Sequence, residues 1–223
     1  VEGAAIANPV PGWCARPSGG EPRGKAGGPD IVFVGHLIYP PNKEAVRRLV
    51  KRIMPLVTAR YPEARLTVAG RTPNVRLAKL IESLPNARLC ADPADLRPIY
   101  AGADMTLLPL FEGGGSRIKI IEALAVGCPV VASAKAVEGL DLVAGTHFLP
   151  AETPGAFAEA VTTLWSDPST GAALRKAGMD YAWAVHGRDS IAASVRAAVR
   201  SVSAKTESSG RAAIGGAAGT DGD

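Results

Sequence analysis

Short apolar runs alternate with helical patterns along most of this chain, and that alternation constrains its fold more than any other feature. Ile31–Val34 and Met105–Leu108 are mainly apolar, and a Gly or a Pro follows each run. Between such runs, apolar residues recur at helical spacing, as they do in Asn42–Arg60. Strands without polar alternation are buried on both faces, and single helices between them connect parallel strands by right-handed crossovers. The pattern therefore predicts an α/β fold, a Rossmann-like doubly wound parallel sheet.

Composition divides the chain into three parts. Residues 1–29 are rich in Gly and Pro, and we interpret them as a linker, the remnant of a hinge after an upstream domain. Residues 30–200 carry the alternating pattern and are predicted to form one domain with a full core. Residues 201–223 are mostly small and polar, and are predicted to be a disordered tail. A first residue of Val rather than Met indicates a fragment or an unusual start codon.

Charge and cysteine content exclude some classes of function. A net charge of +4 suits phosphate-bearing ligands, but the basic residues do not cluster with aromatic ones, so a nucleic-acid partner is not expected. Cys14, Cys90 and Cys128 lack the spacing of a zinc site or a redox pair, and we expect free thiols in a reducing compartment. There is no signal segment and no apolar run long enough to cross a bilayer. These features predict a cytoplasmic protein, with peripheral contact to the inner membrane face left open.

The most informative stretch is a run of three glycines between a strand and a helix. Gly113, Gly114 and Gly115 follow the strand that ends before Pro109, and Ser116 opens the next helical pattern. Glycines allow a backbone to approach a ligand closely, and the amides at a helix start favour an anion. Because ligands bind beyond the carboxyl ends of the strands in such sheets, this loop is the predicted centre of a site.

Two cations follow the glycines in the first predicted helical turn. The helix dipole disfavours Arg117 and Lys119 there by a few tenths of a kcal/mol each, roughly. The pair makes sense if a diphosphate neutralises it. The alternative is that both side chains point into solvent, but the combination with three glycines favours an anion site.

Glu122 lies one turn after Lys119 on a largely apolar helix. A carboxylate can accept two hydrogen bonds from a ribose diol. A salt bridge with Lys119 at helical spacing explains the same residue equally well.

The first two strands also end in polar loops. Gly35 follows the first strand, and Lys43 and Arg71 lie close enough in sequence to reach a phosphate. Lys43 and Arg71 are about as well explained as exposed cations. Asn42 is interpreted first as a helix N-cap. His36 is isolated and no acidic pair stands out, so no metal is expected.

Four segments in order resemble one known family. They are FVGHLIYPPNKEAV (33–46), ARLTVAGRTP (64–73), DLRPIYAGADMTLLPL (95–110) and GGGSRIKIIEALAVGCPVVAS (113–133). Together they resemble the C-terminal domain of the retaining glycosyltransferases of family 4, which have the GT-B fold. The resemblance implies a nucleotide-sugar-binding domain over about residues 31–200.

The resemblance also implies residue roles. Glu122 matches the second glutamate of the family's EX7E motif, which binds the nucleotide ribose, whereas Gly114 replaces the first, which contacts the donor sugar. The amides of Gly115 and Ser116 would bind phosphate or sugar oxygens. His36 stands where the family usually has Arg, so phosphate binding is expected to fall to Arg117, Lys119 or Lys43.

The implied activity is transfer of a hexose from a nucleotide-diphosphate sugar to a glycan or lipid-linked acceptor, with retention and without a cofactor. Arg117 and Lys119 would be the catalytic residues, helping the nucleoside diphosphate to leave. The N-terminal GT-B domain is absent and would be needed in cis or in trans. The alternatives are a non-catalytic nucleotide-sugar-binding module, a subunit of a split transferase and, less well supported, a nucleotide-sugar epimerase.

Overall fold

A six-stranded parallel sheet forms the centre of the computed structural model, which describes residues 7–16, 27–71 and 73–215, and side chains only as far as residue 201. The strand order is β3-β2-β1-β4-β5-β6, and every neighbouring pair is parallel. The predicted fold class is therefore confirmed. The strands are β1 (Asp30–Val34), β2 (Arg65–Gly70), β3 (Ala87–Ala91), β4 (Met105–Leu108), β5 (Val130–Ala132) and β6 (Leu149–Pro150).

The strand order reverses direction between β1 and β4. Strands β1 to β3 succeed one another outward on one side, and β4 to β6 do so on the other. The loops that leave β1 and β4 therefore diverge at the carboxyl edge and leave a crevice between them, which is where such sheets bind ligands.

Helices connect the strands. They are α1 (Pro40–Arg48), α2 (Met54–Arg60), α3 (Val75–Glu82), α4 (Arg97–Ala101), α5 (Ile118–Ala125), α6 (Ala134–Val137), α7 (Pro154–Ser166), α8 (Pro168–His186) and α9 (Arg188–Gly215). The sequence predicts most of these, but not α6. No helix in the described part of the chain is long and apolar enough to cross a membrane.

A π-helical segment, Leu49–Ile53, joins α1 to α2. Pro55 explains this irregularity, because it has no amide hydrogen and its ring crowds the carbonyl of Lys51 four residues earlier. A wider π turn relieves that conflict without breaking the helix. The predicted single helix from Asn42 to Arg60 is therefore continuous but irregular.

The core lies on both faces of the sheet. Ile31, Val32 and Phe33 of β1 are at most 1% exposed, and Leu107 of β4 is fully buried. Helices α2 and α7 pack together, and α5 packs against α8. Central strands that are covered on both sides account for the unbroken apolar runs in the sequence.

The ends of the chain differ from the sequence prediction. Helix α9 continues to Gly215, whereas a disordered tail is predicted from Ser201; residues 216–223 lie outside the described residues. Of the predicted linker, residues 7–16 pack on the domain: the Val10 amide donates to the His186 carbonyl at 2.7 Å, and Arg16 pairs with Asp180. Residues 1–6 and 17–26 lie outside the described residues.

Candidate functional site

A cleft of about 400 Å³ opens at the carboxyl edge of the sheet, between the loops that follow β1 and β4. Most of the predicted site residues line it together, although they come from different parts of the chain. The lining residues that the sequence predicts are Gly35, Gly113, Gly115, Ser116, Arg117, Lys119 and Glu122.

Three predicted site residues are not part of the cleft wall: Lys43, Arg71 and Gly114. Helix α1 begins at Pro40, so Lys43 lies almost a full turn below the edge. Arg71 is exposed, and its carbonyl accepts a hydrogen bond from the Leu37 amide at 2.8 Å. Lys43 belongs to α1 and Arg71 to the loop after β2, and neither lines the cleft.

The fold requires glycine at only one of the three loop positions. Gly113 has φ +98°, and a Cβ there would meet the Tyr39 hydroxyl at 2.9 Å and Pro41 Cγ at 3.0 Å. Gly113 therefore allows the β1 and β4 loops to touch. A Cβ at Gly114 or Gly115 would meet nothing within 4 Å, so both positions face open space, and Gly115 does so at the cleft.

Helix α5 begins later than predicted, at Ile118, with Arg117 at the N-cap position. The Arg117 carbonyl accepts from the amides of Ile120 and Ile121 at 3.0 and 3.2 Å. In the described structure, the amides of Gly115 and Ser116 donate to no protein group. These donors and the positive end of the helix dipole favour an anion in the cleft.

The side chain of Arg117 does not point into solvent, contrary to the simpler explanation of its position. It is 14% exposed. Its Nε donates to the Glu138 carbonyl at 3.1 Å, and Nη2 donates to the Glu138 carboxylate at 3.0 Å. Two anchors at the end of α6 therefore hold the guanidinium at the cleft wall.

Lys119 is fixed from the opposite side of the cleft. Its Nζ donates to Oδ1 of Asn42 at 2.5 Å and lies 5.8 Å from the centre of the Phe33 ring. The pKa of Lys119 is lowered to about 8, mainly by burial and also by the neighbouring charge of Arg117, while Glu122 opposes the shift. An anion in the cleft would stabilise the charged ammonium and reverse this shift.

Asn42 is the most important residue that sequence reasoning misplaced. The N-cap position of α1 is Tyr39, and Asn42 lies within the helix with 3% of its surface exposed. Its Nδ2 donates to the His36 carbonyl at 2.9 Å while Oδ1 accepts from Lys119. Asn42 therefore ties the β1 loop to the helix that carries the cations. A fully polar side chain among buried neighbours in α1 was the only signal for this role.

Glu122 lies deeper in the cleft. The ammonium of Lys119 is too far from the Glu122 carboxylate to form an ion pair with it. In the described structure, the Glu122 carboxylate accepts no hydrogen bond. Burial raises the pKa of Glu122 to about 7, and Lys119 opposes the shift. Of the two interpretations of Glu122, the salt bridge to Lys119 is therefore wrong, and the carboxylate is available to a ligand.

The sheet edge keeps the β1 loop in place. Gly70, the last residue of β2, has φ +155°, and a Cβ there would come within 1.7 Å of the Gly35 carbonyl. Behind the cleft, Ser133 caps α6 by accepting from the Ala136 amide, and its hydroxyl donates to the Leu110 carbonyl. The described residues contain no cluster of three His, Cys, Asp or Glu side chains arranged for a metal ion.

Comparison with known proteins gives the family. Residues 28–167 match the model for "Glycosyl transferases group 1". The chain belongs to the group 1 glycosyl transferases. A curated relative, an uncharacterized 44.6 kDa protein in the cps region of Klebsiella pneumoniae, is 27% identical over 137 residues, which are 58% of this chain and 35% of that protein.

Solved structures show the same fold. Sucrose-phosphate synthase from Thermosynechococcus elongatus superposes with a TM-score of 0.65 and 22% identity, over 80% of this chain and 46% of the synthase. The C-terminal domain of a group 1 family glycosyl transferase from Francisella tularensis superposes with a TM-score of 0.53 and 17% identity, over 68% of this chain and 82% of that domain structure. Anabaena HepE, solved in complex with UDP, superposes with a TM-score of 0.64 and 14% identity, over 79% of this chain and 49% of HepE.

This glycosyl transferase chain spans only part of the length of several proteins that it matches. It spans about a third of the curated relative and about half of the synthase. It covers most of the structure that contains a C-terminal domain alone. The fold is that of the C-terminal half of a GT-B glycosyltransferase, as the sequence motifs predict.

Proposed function

We propose that this chain is the donor-binding half of a retaining GT-B glycosyltransferase, and that its cleft holds the diphosphate of a nucleotide sugar. The observation that carries the proposal is the convergence of Arg117, Lys119 and the loop amides on one cleft, from two sides. The complex of the related Anabaena protein with UDP supports the choice of ligand class.

Different residues bind different parts of the donor. The amides of Gly115 and Ser116 and the cations of Arg117 and Lys119 bind the two phosphates. Glu122, whose carboxylate is free of protein donors, accepts hydrogen bonds from the ribose hydroxyls. Gly114, where relatives of the resembled family have a glutamate, presents no side chain to the sugar, so sugar recognition falls to backbone groups or to other residues.

The cations also contribute to the reaction itself. When the glycosidic bond to the diphosphate breaks, negative charge grows on the leaving phosphate oxygen. Arg117 and Lys119 are already held in place by Glu138 and Asn42, so they stabilise that charge without reorganisation. A hexose then passes to a glycan or lipid-linked acceptor with retention of configuration.

The chain spans about half the length of the synthase that it matches. We propose that an acceptor-binding half acts together with this domain, either in the same protein or in a partner chain. In the second case, the domain is the donor-binding subunit of a split transferase.

The proposal is tested by calorimetric titration with UDP and with uridine. Arg117→Gln is expected to weaken UDP binding about tenfold or more, because a charge-assisted hydrogen bond contributes roughly 1.5–3 kcal/mol. Uridine binding, which involves no phosphate, should not change. Lys43→Gln serves as the control because Lys43 does not line the cleft. Equal losses for UDP and uridine, or failure of the wild-type chain to bind any nucleoside diphosphate, would remove the basis of the proposal.

A further inference from the structure

A second groove, of about 600 Å³, lies beside the donor cleft. One wall consists of basic residues from α1 and the π-helical segment, and the floor and far wall are apolar residues from the β4 loop and α7. We define this basic groove by Arg47, Arg48, Lys51, Arg52, Ile53, Pro109, Phe111, Pro154 and Phe157, together with the acids Glu44 and Glu152.

The groove carries an excess of positive charge. Glu44 pairs with Arg47 at 3.3 Å and with Arg48 at 3.6 Å, so one carboxylate serves two guanidiniums. Lys51 and Arg52 are exposed and form no ion pair with any side chain that the structure describes. The Glu152 carboxylate accepts from the Ala134 amide at 2.6 Å, so the four cations of the groove face two carboxylates.

The cations form an array along the helix. Arg47 and Lys51 are four residues apart, as are Arg48 and Arg52, and such pairs are neighbours about 5–6 Å apart on a helix surface. A single small anion would engage only part of this array. An extended ligand with several negative charges would engage it along its length.

The other side of the groove is apolar and rigid. Phe111 is 37% exposed, and the Arg48 guanidinium lies 4.9 Å from the centre of its ring. Arg48 also donates to the Pro109 carbonyl at 3.4 Å, so two contacts hold it over the β4 loop. Ile53 and Phe157 in the floor are each 1% exposed, which places them beyond the reach of a flat surface such as a bilayer.

A ligand that fits this groove must carry several negative charges and must present an apolar face to Phe111 and Pro154, the exposed apolar residues of its lining. Pyranose rings that bear carboxylates or phosphates meet both requirements, because their C–H faces are apolar and their substituents are charged. We propose that the basic groove binds an anionic glycan.

The location relates this ligand to the donor cleft. Pro109 and Phe111 line the groove, while Leu110 and Gly113 of the same loop line the cleft. The inference rests on the proposed function: the glycan is the acceptor or the product of the sugar transfer, and the groove holds part of it away from the reacting end. The acceptor class is then an acidic glycan.

The test is fluorescence anisotropy with labelled tetragalacturonate, with labelled maltotetraose as the uncharged counterpart. The full chain is expected to bind the uronate and not the neutral glucan. The triple variant Arg47→Gln, Lys51→Gln, Arg52→Gln should weaken uronate binding by roughly 3- to 150-fold, since each exposed charge pair contributes a factor of about 1.4 to 5. Its affinity for UDP should stay unchanged, because none of the three residues lines the cleft.

A matched control removes the same charges elsewhere. Arg76→Gln, Lys79→Gln, Arg196→Gln also deletes two arginines and one lysine, all exposed, from α3 and α9. It should bind tetragalacturonate as the wild-type chain does. Equal losses in the two triple variants would show that only net charge matters, and would overturn the inference.

Two further measurements distinguish other outcomes. Sedimentation with vesicles of phosphatidylcholine and phosphatidylglycerol, and anisotropy with labelled oligo(dT), are run on the same variants. The glycan assignment would be overturned if the wild-type chain bound the vesicles or oligo(dT) more tightly than the uronate and if the triple groove variant lost that binding. If UDP binds but tetragalacturonate does not, only this inference fails; if tetragalacturonate binds but UDP does not, the proposed function fails.

Discussion

The donor cleft and the basic groove are neighbours that share the β4 loop, yet they use positive charge in opposite ways. In the cleft, two cations are largely buried and held by single partners, Arg117 by Glu138 and Lys119 by Asn42. In the groove, Lys51 and Arg52 are exposed and belong to an array. The cleft is therefore suited to one ligand in one pose, whereas the groove is suited to a polymer in several registers.

The physical difference lies in the solvent. A buried cation has already lost its hydration, so an arriving phosphate gains most of the electrostatic attraction. Exposed cations are screened within about 8–10 Å by salt, so each contributes little and several must act together. Three measurements exploit this contrast.

The largest effect is expected from a matched pair of lysine substitutions. Lys119→Met should weaken UDP-glucose binding about 30-fold, within the roughly 1.5–3 kcal/mol of a charge-assisted hydrogen bond, because the buried ammonium contacts the diphosphate. Lys51→Met should leave UDP-glucose binding unchanged and weaken tetragalacturonate binding only two- to threefold, approximately. Calorimetry on both variants checks this. Similar effects of the two substitutions on UDP-glucose would mean that the cleft and the groove do not differ as described.

A pH profile of UDP-glucose affinity should show two limbs. Lys119 has a pKa of about 8 in the free protein, and bound phosphate raises it, so affinity is full below about pH 8 and falls by up to tenfold per pH unit above it. Glu122 has a pKa of about 7 that ribose hydroxyls would lower, so affinity is full above about pH 7 and falls below it.

Variants assign the two limbs. Lys119→Met should remove the alkaline limb, and Glu122→Gln should remove the acid limb. Tetragalacturonate binding should be nearly flat over the same range, because arginines keep their charge. A wild-type UDP-glucose profile without an optimum between about pH 7 and pH 8 would contradict the placement of these two groups at the ligand.

The smallest effect concerns the acids that hold each set of cations. Glu138→Gln keeps the carbonyl that anchors Nε of Arg117 but removes the charge that competes with phosphate, so UDP-glucose should bind about threefold more tightly. Glu44→Gln should likewise tighten the binding of tetragalacturonate, but it should leave the affinity for UDP-glucose unchanged. Titrations of both variants with both ligands decide the question. Weaker UDP-glucose binding by Glu138→Gln would contradict this prediction, because it would mean that the carboxylate helps more by holding Arg117 than it hinders by competing with phosphate.

The sequence predicts the fold and the location of the cleft well, because both follow from local patterns. The alternation of strands and helices fixes which loops share the carboxyl edge, and so it brings Gly113, Arg117 and Gly35 to one place although 82 residues separate the outermost two. The glycine run also marks the point where the backbone faces open space. These features depend only on neighbours in sequence and on the rules of parallel sheets.

What the sequence did not predict depends on partners that are distant in the chain. Asn42 meets Lys119 across 77 residues, and Arg117 meets Glu138 across 21 residues. No periodicity encodes such contacts, so the sequence predicts a helix cap at Asn42 and no role for Glu138. The sequence also predicts Lys43 and Arg71 near this edge, but neither lines the cleft, because nearness in sequence to a strand end does not decide where a side chain points.

The segment from Ala7 to Arg16 packs on the domain close to Glu122, which lines the donor cleft. Trp13 stacks on Tyr100 with ring centres 6.2 Å apart, and Cys14 is 8% exposed. Burial, with a contribution from the nearby charge of Glu122, raises the pKa of the Cys14 thiol to about 12, so the sulfur is almost entirely unreactive while the segment is seated. Detachment of the segment would expose this thiol and end that protection. The rate at which an alkylating reagent labels Cys14 therefore measures how often the segment leaves the domain.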